Sequence, residues 1–225
     1  MERIRGETSP EETISKEREQ TFKQYIEGLR LTPDDFSKKI LDVGSGSAEF
    51  AKWAKDHQVS SEIYSIDPQN VPQDVAKFQE REKAVKGMVQ MLPFQDESFD
   101  LVVSHAAIPN IFWQRVDRRK RRIREATERT IRQSIEEMLR VTKRGGEVRM
   151  GRVSLEYIYP FRHILIEALN NVLNEIKKDQ AVYVETIPTD ESPLVQKEKV
   201  EYENFYKKTA PDIENLYLVK IKKFS

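Results

Sequence analysis

The feature that most constrains the fold of this chain is a glycine-rich turn between an apolar run and a helical segment. Residues 40–43, which are apolar apart from one aspartate, are followed directly by Gly44 and Gly46. A short apolar run that ends in glycines is typical of a strand buried in a parallel sheet. From Ala48 to Lys55 the apolar residues recur on one helical face, which predicts a helix. Strand, glycine turn and helix in this order predict an open α/β sheet with a ligand at the turn.

Further strands and helices alternate along the chain. Besides 40–43, strands are predicted at 61–67, 86–91, 99–105, 146–153, 181–187 and 216–224. Helices are predicted from Pro10 through Leu29, around 75–81, at 161–176, and over much of 114–142 with an end signal at Gly145-Gly146. This alternation indicates βαβ units in a mainly parallel sheet with helices on both faces. We therefore predict a doubly wound α/β domain over residues 31–225, preceded by a partly flexible helical cap over residues 1–30.

The composition excludes several classes of site and partner. The 225 residues include 38 Lys and Arg and 38 Asp and Glu, so no net charge attracts nucleic acid or an anionic membrane. The absence of cysteine excludes disulfides and thiolate metal sites, and His57, His105 and His163 are not spaced as a metal motif. No apolar run approaches the length of a membrane span, and the charged N-terminus lacks the apolar segment of a signal peptide. We expect a cytoplasmic protein with no metal and no membrane partner.

The residues around the glycine turn narrow the class of ligand. A dinucleotide fingerprint requires a small residue where this chain has Glu49, and no phosphate-binding loop of the G-x-x-x-x-G-K-[ST] type is present. Asp67 ends the second predicted strand, 23 residues after Gly44. An acid at this spacing is positioned to accept hydrogen bonds from two ribose hydroxyls. The two features together indicate an adenosine ligand without a diphosphate.

At this point the chain resembles the class I S-adenosylmethionine-dependent methyltransferases over residues 36–153. ILDVGSGSAEF looks like the first motif of the family, with Ala48 where a third glycine is usual. SIDP is similar to the second motif and ends in the ribose-binding acid and Pro68. MLPFQDESFDLVVSHAAI and SIEEMLRVTKRGGEVRM resemble the later segments, in the same order as in the family. One glycine motif alone is a weak signal, whereas four ordered segments are specific.

The resemblance implies a Rossmann-like sheet of seven strands, with the last strand antiparallel beside the fifth. It also implies S-adenosylmethionine as the cofactor. Asp42 then either orients the loop or also lies near the amino group of the ligand. Met88 departs from the family, which often has an adenine-binding acid there, so Val89 and Gln90 are the remaining adenine contacts. The cofactor-binding candidates are Asp42, Gly44, Ser45, Gly46, Ala48, Asp67, Pro68, Met88, Val89, Gln90 and Ser104.

The reaction implied by the resemblance is direct displacement at the sulfonium methyl group. The cofactor supplies the electrophile, so the protein mainly has to align donor and acceptor. His105 follows the fourth predicted strand, where open α/β sheets bind ligands, and is either a general base or a residue that lines the pocket. Tyr25, Ile108 and Trp113 are the candidates for contact with the acceptor.

A dense run of basic residues leaves the chemical class of the methyl acceptor undecided. It comprises Arg115, Arg118, Arg119, Lys120, Arg121, Arg122 and Arg124. Such a run either grips a nucleic acid or belongs to a solvated helix, and i,i+4 pairs such as Glu128/Arg132 and Glu136/Arg140 favour the helix. We expect a small-molecule acceptor, with an RNA or protein methyltransferase as the alternative.

Two further functions share this core. One is a regulatory or scaffold subunit that binds the cofactor without transferring its methyl group. The other is a polyamine synthase, which is disfavoured because residues 104–107 contain no acidic pair to receive a polyamine. The sequence predicts no oligomeric state.

Overall fold

A computed structural model describes residues 10–60, 62–68, 83–108, 120–154, 163–179, 181–188 and 216–224. The helices in these residues are α1 (Pro10–Leu29), α2 (Glu49–Asp56), α3 (Lys120–Val141) and α4 (His163–Ile176), with a 3-10 helix at Pro33–Ser37. The strands are β1 (Ile40–Val43), β2 (Ile63–Asp67), β3 (Ala84–Lys86), β4 (Phe99–His105), β5 (Thr142–Ser154), β6 (Val182–Pro188) and β7 (Leu216–Lys223). Among the helices described, none combines the length and the apolar character that a membrane span requires.

Within the described residues, seven strands form one sheet in the order β3-β2-β1-β4-β5-β7-β6. The strands from β3 across to β5 are parallel, and β7 runs antiparallel to both β5 and β6. The order changes direction at β1, whose neighbours are β2 and β4. A ligand of an open α/β sheet binds beyond the carboxyl ends of the strands at such a switch point. The predicted doubly wound sheet with an antiparallel last strand beside the fifth is confirmed.

The core is divided by the sheet into two apolar clusters. On one face, Ile135 and Met138 of α3 and Leu169 of α4 pack against the strands. On the other face, Leu29 of α1 and Phe50 of α2 do the same. Successive strand residues alternate between these faces, so strands covered on both sides are apolar at nearly every position. The prediction of helices on both faces is confirmed.

Two predicted boundaries are wrong. The third strand was expected over residues 86–91 but is β3, which ends at Lys86 because β2 ends at Asp67 and offers no partner further on. The chain then turns, and the N–H of Met91 donates to the carbonyl of Met88 at 3.0 Å.

The long helix was expected to stop at Gly145-Gly146 but ends earlier, at Val141. The two glycines belong to β5, where its register against β4 shifts between Phe99 and Leu101. Gly145 has a φ of +77°, and a Cβ on Gly146 would lie 2.8 Å from the carbonyl oxygen of Asp100. The glycines therefore permit a bulge and a close approach of two backbones rather than a helix end.

Candidate functional site

The glycine turn lies between β1 and α2 at the switch point of the sheet. Gly44, Gly46 and Ala48 all have positive φ, of +75°, +55° and +59°. A Cβ on Gly44 would lie 2.4 Å from the Cβ of Ala107, whereas a Cβ on Gly46 would meet nothing within 4 Å. Ala48 accepts a left-handed conformation that costs an L-residue roughly 1–2 kcal/mol. A glycine would adopt this conformation without that cost.

The backbone of the turn is bonded to the end of β2. The N–H of Gly44 donates to the carbonyl of Ile66 at 2.8 Å. The N–H of Gly46 donates to Oδ2 of Asp67 at 2.9 Å. The structure thus brings together the two features that the sequence analysis joined only by spacing, the glycine turn and the acid that ends β2.

Asp42 lies beneath the turn and is fully buried. The hydroxyl of Tyr25 donates to its carboxylate, 3.3 Å from each oxygen. Burial raises the pKa of Asp42 to about 8, and the nearby charge of Asp67 adds to this shift while the bond from Tyr25 opposes it. The pKa of Tyr25 is likewise raised well above its usual value, by burial first and by the charge of Asp42 second. Burial thus makes the ionised form of Asp42 costly in the absence of a positive charge beside it.

Tyr25 reaches this acid because α1 packs on α2 and on β4 and β5 of the sheet. Its ring stacks on Phe50 of α2 at a centroid distance of 4.5 Å and lies 4.7 Å from the ring of His105. One turn earlier, Phe22 stacks on Trp53 at 3.4 Å. The sequence analysis named Tyr25 as an acceptor contact, and the structure places its hydroxyl on the predicted cofactor-side acid.

The end of α1 is bound by Arg149 of β5, which the sequence analysis did not single out. Its guanidinium donates to the carbonyl of Arg30 at 3.1 Å, to Asp35 at 2.9 Å and to Glu147 at 3.0 Å. Both Arg149 and Asp35 are buried. An arginine in the middle of a predicted buried strand was the signal available in the sequence, because a buried charge needs a partner.

His105 ends β4 and lies under α1. Burial lowers its pKa to about 4, and the charge of Arg152 adds to this, so the ring is neutral at pH 7. Nε2 is buried and has no hydrogen-bond partner among the described residues. A Cβ on Gly28 of α1 would lie 2.8 Å from Nε2, so this nitrogen faces the backbone of the helix.

The turn at residues 88–91 lies next to Asp67, because the N–H of Gly87 donates to the carbonyl of Asp67 at 3.1 Å. Val89 is buried in this turn, Gln90 is partly buried and Met88 is exposed. Ser45 and Pro68 lie at the ends of β1 and β2 respectively.

The remaining candidates are less accessible or lie elsewhere. Ser104 and Ile108 are buried, with the hydroxyl of Ser104 unpaired among the described atoms and Ile108 in the apolar cluster beneath α3 and α4. Trp113, residues 115–119 and the side chains of 120–124 are outside the described residues. In the part of the chain that the structure describes, no three His, Asp or Glu side chains are grouped as a metal site.

Comparison with known proteins shows which domain the part of the chain around the glycine turn resembles. Residues 41–150 match the family model described as a methyltransferase domain. None of the curated protein sequences compared with the chain matches it.

Solved structures with the same fold are numerous. The N-methyltransferase NodS from Bradyrhizobium japonicum is 16% identical, with a TM-score of 0.52 over 95% of this chain and 98% of that chain. The plantazolicin methyltransferase BpumL, solved with S-adenosylhomocysteine (SAH), is 13% identical, with a TM-score of 0.52 over 97% and 92%. At such low identity the likeness to these structures shows the fold.

Proposed function

We propose that this chain, whose residues 41–150 match a methyltransferase domain, uses S-adenosylmethionine to methylate a small-molecule acceptor by direct displacement. When bound, S-adenosylmethionine would supply a sulfonium methyl group that a lone pair on the acceptor would displace, leaving SAH with the electrons of the broken carbon–sulfur bond and the methylated acceptor with the positive charge, which it would lose with a proton. The described residues bind and align the two reactants, which is the main task when the cofactor supplies the electrophile.

The observation that carries this proposal is the meeting of the glycine turn with Asp67. The Gly46 N–H and the Asp67 carboxylate are already joined, and the space beside Gly46 is open. In the proposed complex, Asp67 binds the ribose hydroxyls, and the turn approaches the amino-acid part of the cofactor. The turn at residues 88–91 then contacts the adenine through Val89 and Gln90.

Asp42 and Tyr25 have a proposed role at the amino group of the cofactor. An ammonium group beside Asp42 would favour its ionised form, because an opposite charge lowers the pKa of a carboxyl group. The hydroxyl of Tyr25 already contacts both carboxylate oxygens and is positioned to share them with the ligand.

A small acceptor is favoured because α1 lies over the carboxyl ends of β1 and β4. Tyr25 and Gly28 of this helix contact Asp42 and His105, so α1 restricts the entry of a large acceptor on the face of the sheet that it covers. We propose α1 as the cap of the site. His105 is the candidate base, but its pKa of about 4 makes the buried ring a weak base, so this role requires α1 to move away from Nε2 and relieve the burial.

The proposal is tested by calorimetric titration of wild type, Asp67→Ala and the control Asp34→Ala with S-adenosylmethionine and SAH. Asp34 is an exposed acid of the 3-10 helix. We expect wild type and Asp34→Ala to bind both ligands, and Asp67→Ala to lose at least about tenfold in affinity, since a hydrogen bond to a charged group contributes roughly 1.5–3 kcal/mol. Folded wild-type protein that binds neither ligand would contradict the proposal.

A further inference from the structure

Arg140 of α3 donates five hydrogen bonds, two to the carboxylate of Glu137 and three to the loop at residues 92–96. Nε and Nη2 donate to the two carboxylate oxygens of Glu137 at 2.7 and 2.8 Å. Nη2 also donates to the carbonyl of Leu92 at 3.0 Å. Nη1 donates to the carbonyl of Phe94 at 2.9 Å and to Asp96 at 2.7 Å. Only the planar guanidinium can fill these five directions at once.

Glu137 completes this arrangement from the other side. Its Oε2 accepts the N–H of Leu92 at 2.9 Å, so both polar groups of the Leu92 backbone are bonded to α3. The hydrogen bond from Arg140 is the largest of the effects that lower the pKa of Glu137, which keeps the carboxylate charged. We call these two residues the Glu137–Arg140 pair.

The loop held by this pair follows the turn at residues 88–91 without a break. The turn has the hydrogen bond from Met91 to Met88 across it, and Met91 itself is 79% exposed. Further along the loop, the N–H groups of Glu97 and Ser98 donate to the carbonyls of Arg140 and Val141. The backbone hydrogen bonds of the loop with the rest of the fold therefore converge on the C-terminal end of α3.

We propose that the Glu137–Arg140 pair positions the turn at residues 88–91 and so sets the selectivity of the cofactor site for adenine. This inference rests on the proposed function, in which that turn contacts the adenine. The pair acts through the Leu92 backbone and does not touch the ligand. Because the side chains of Met88 and Val89 offer no hydrogen-bond acceptor of the kind that an adenine amino group needs, polar contacts with the adenine fall to the backbone and to Gln90, and backbone contacts depend on where the loop lies.

The matched variants are Arg140→Lys and the control Arg132→Lys. Both arginines lie on α3 with side chains 30% exposed, but Arg132 pairs with Glu128 and Glu175 instead of the loop. Affinity is measured by calorimetry for SAH and for S-inosylhomocysteine, in which an oxo group replaces the 6-amino group of the adenine. We expect wild type and Arg132→Lys to prefer SAH, and Arg140→Lys to reduce that preference by about tenfold, the equivalent of one or two misplaced hydrogen bonds.

If the pair had a purely structural role, Arg140→Lys would lower the affinity for both ligands equally and leave the ratio of the two affinities unchanged. This result would overturn the inference. Equal affinity of the wild type for the two ligands would overturn it as well. Failure of the wild type to bind either ligand would instead overturn the proposed function, and the inference with it. If Arg140→Lys does not fold, Glu137→Gln is measured in the same way. This variant keeps one oxygen that can accept the N–H of Leu92 but loses the charged carboxylate that binds Nε and Nη2 of Arg140.

Discussion

Gly44 and Gly46 share a left-handed backbone but have different surroundings. Gly44 is pressed against Ala107 in the loop after β4, so its missing side chain permits two segments of the fold to approach. Gly46 faces open space and donates its N–H to Asp67. The first glycine therefore permits close packing of two segments, whereas the second leaves space beside the turn.

These differences predict that an alanine at Gly44 mainly lowers stability, whereas an alanine at Gly46 mainly weakens ligand binding. Gly44→Ala should lower the free energy of unfolding by at least about 2 kcal/mol, from backbone strain together with overpacking against Ala107. Gly46→Ala should lose only the strain, roughly 1–2 kcal/mol, but should bind SAH more weakly because its methyl group enters the open space. Urea denaturation and calorimetry measure the two quantities. Equal losses of stability, or unchanged affinity in Gly46→Ala, would contradict this division.

At the scale of elements, the position of α1 decides what covers the site. The helix packs on α2 through the stack of Phe22 on Trp53 and through an ion pair of Arg18 with Glu49 at 2.7 Å. At its end, Arg149 binds the carbonyl of Arg30 and joins the helix to β5. Side-chain contacts at several points along α1 thus hold Tyr25 against Asp42.

Removal of Arg149 is therefore expected to destabilise the protein. Arg149→Met leaves the buried Asp35 with Lys38 as its remaining charged partner, and breaking a buried pair from one side costs up to about 3 kcal/mol. The control Arg144→Met removes an exposed arginine of the same strand, paired with Glu97, and should cost less than about 1 kcal/mol. The free energies of unfolding of the two variants and of wild type are measured by denaturation in guanidinium chloride. Similar losses in both variants would show that the buried pair is not what holds α1.

At the scale of the whole molecule, one sheet places the ligand turn and a buried acid on the same side. Asp42 and Asp67 lie on neighbouring strands of the face covered by α1 and α2, and the hydroxyl of Tyr25 bonds to Asp42. Burial makes the ionised form of Asp42 costly, so the stability of the whole fold depends on its protonation.

The sign of that dependence follows from the pKa of Asp42. Its folded value of about 8 exceeds the unfolded value of about 3.9, so the native state binds more protons between these limits. The resulting stability is present at low pH and is lost as the pH rises through this window. Between pH of about 5 and about 7.5, wild type should lose more than about 1.4 kcal/mol relative to Asp42→Asn, which does not titrate.

The comparison with Asp42→Asn isolates this group, because contributions such as that of His105 occur in both proteins. The free energy of unfolding is measured by urea denaturation of both proteins across the pH range. Parallel pH profiles of the two proteins would show that Asp42 is already ionised in the native state.

Much of the fold and part of the site could be predicted from local patterns in the sequence. Apolar runs and glycines placed five of the seven strands to within two residues, whereas β5 starts earlier than predicted. The spacing from Gly44 to Asp67 indicated one ligand for two segments that the structure brings together. These features depend on residues near one another in the chain or on the fixed geometry of a βαβ unit. The third strand was displaced because its length was set by the end of β2, which belongs to a different segment.

The amino-acid sequence by itself determined the sheet, the glycine turn and the acid at the end of β2, because backbone sterics and apolar periodicity act over a few residues. The tertiary structure alone decided that Tyr25 meets Asp42, that Arg149 holds the end of α1, and that Arg140 binds the loop at residues 92–96. These contacts join residues 17, 119 and 48 positions apart. No local pattern encodes them, since they exist only after the helices have packed on the two faces of the sheet.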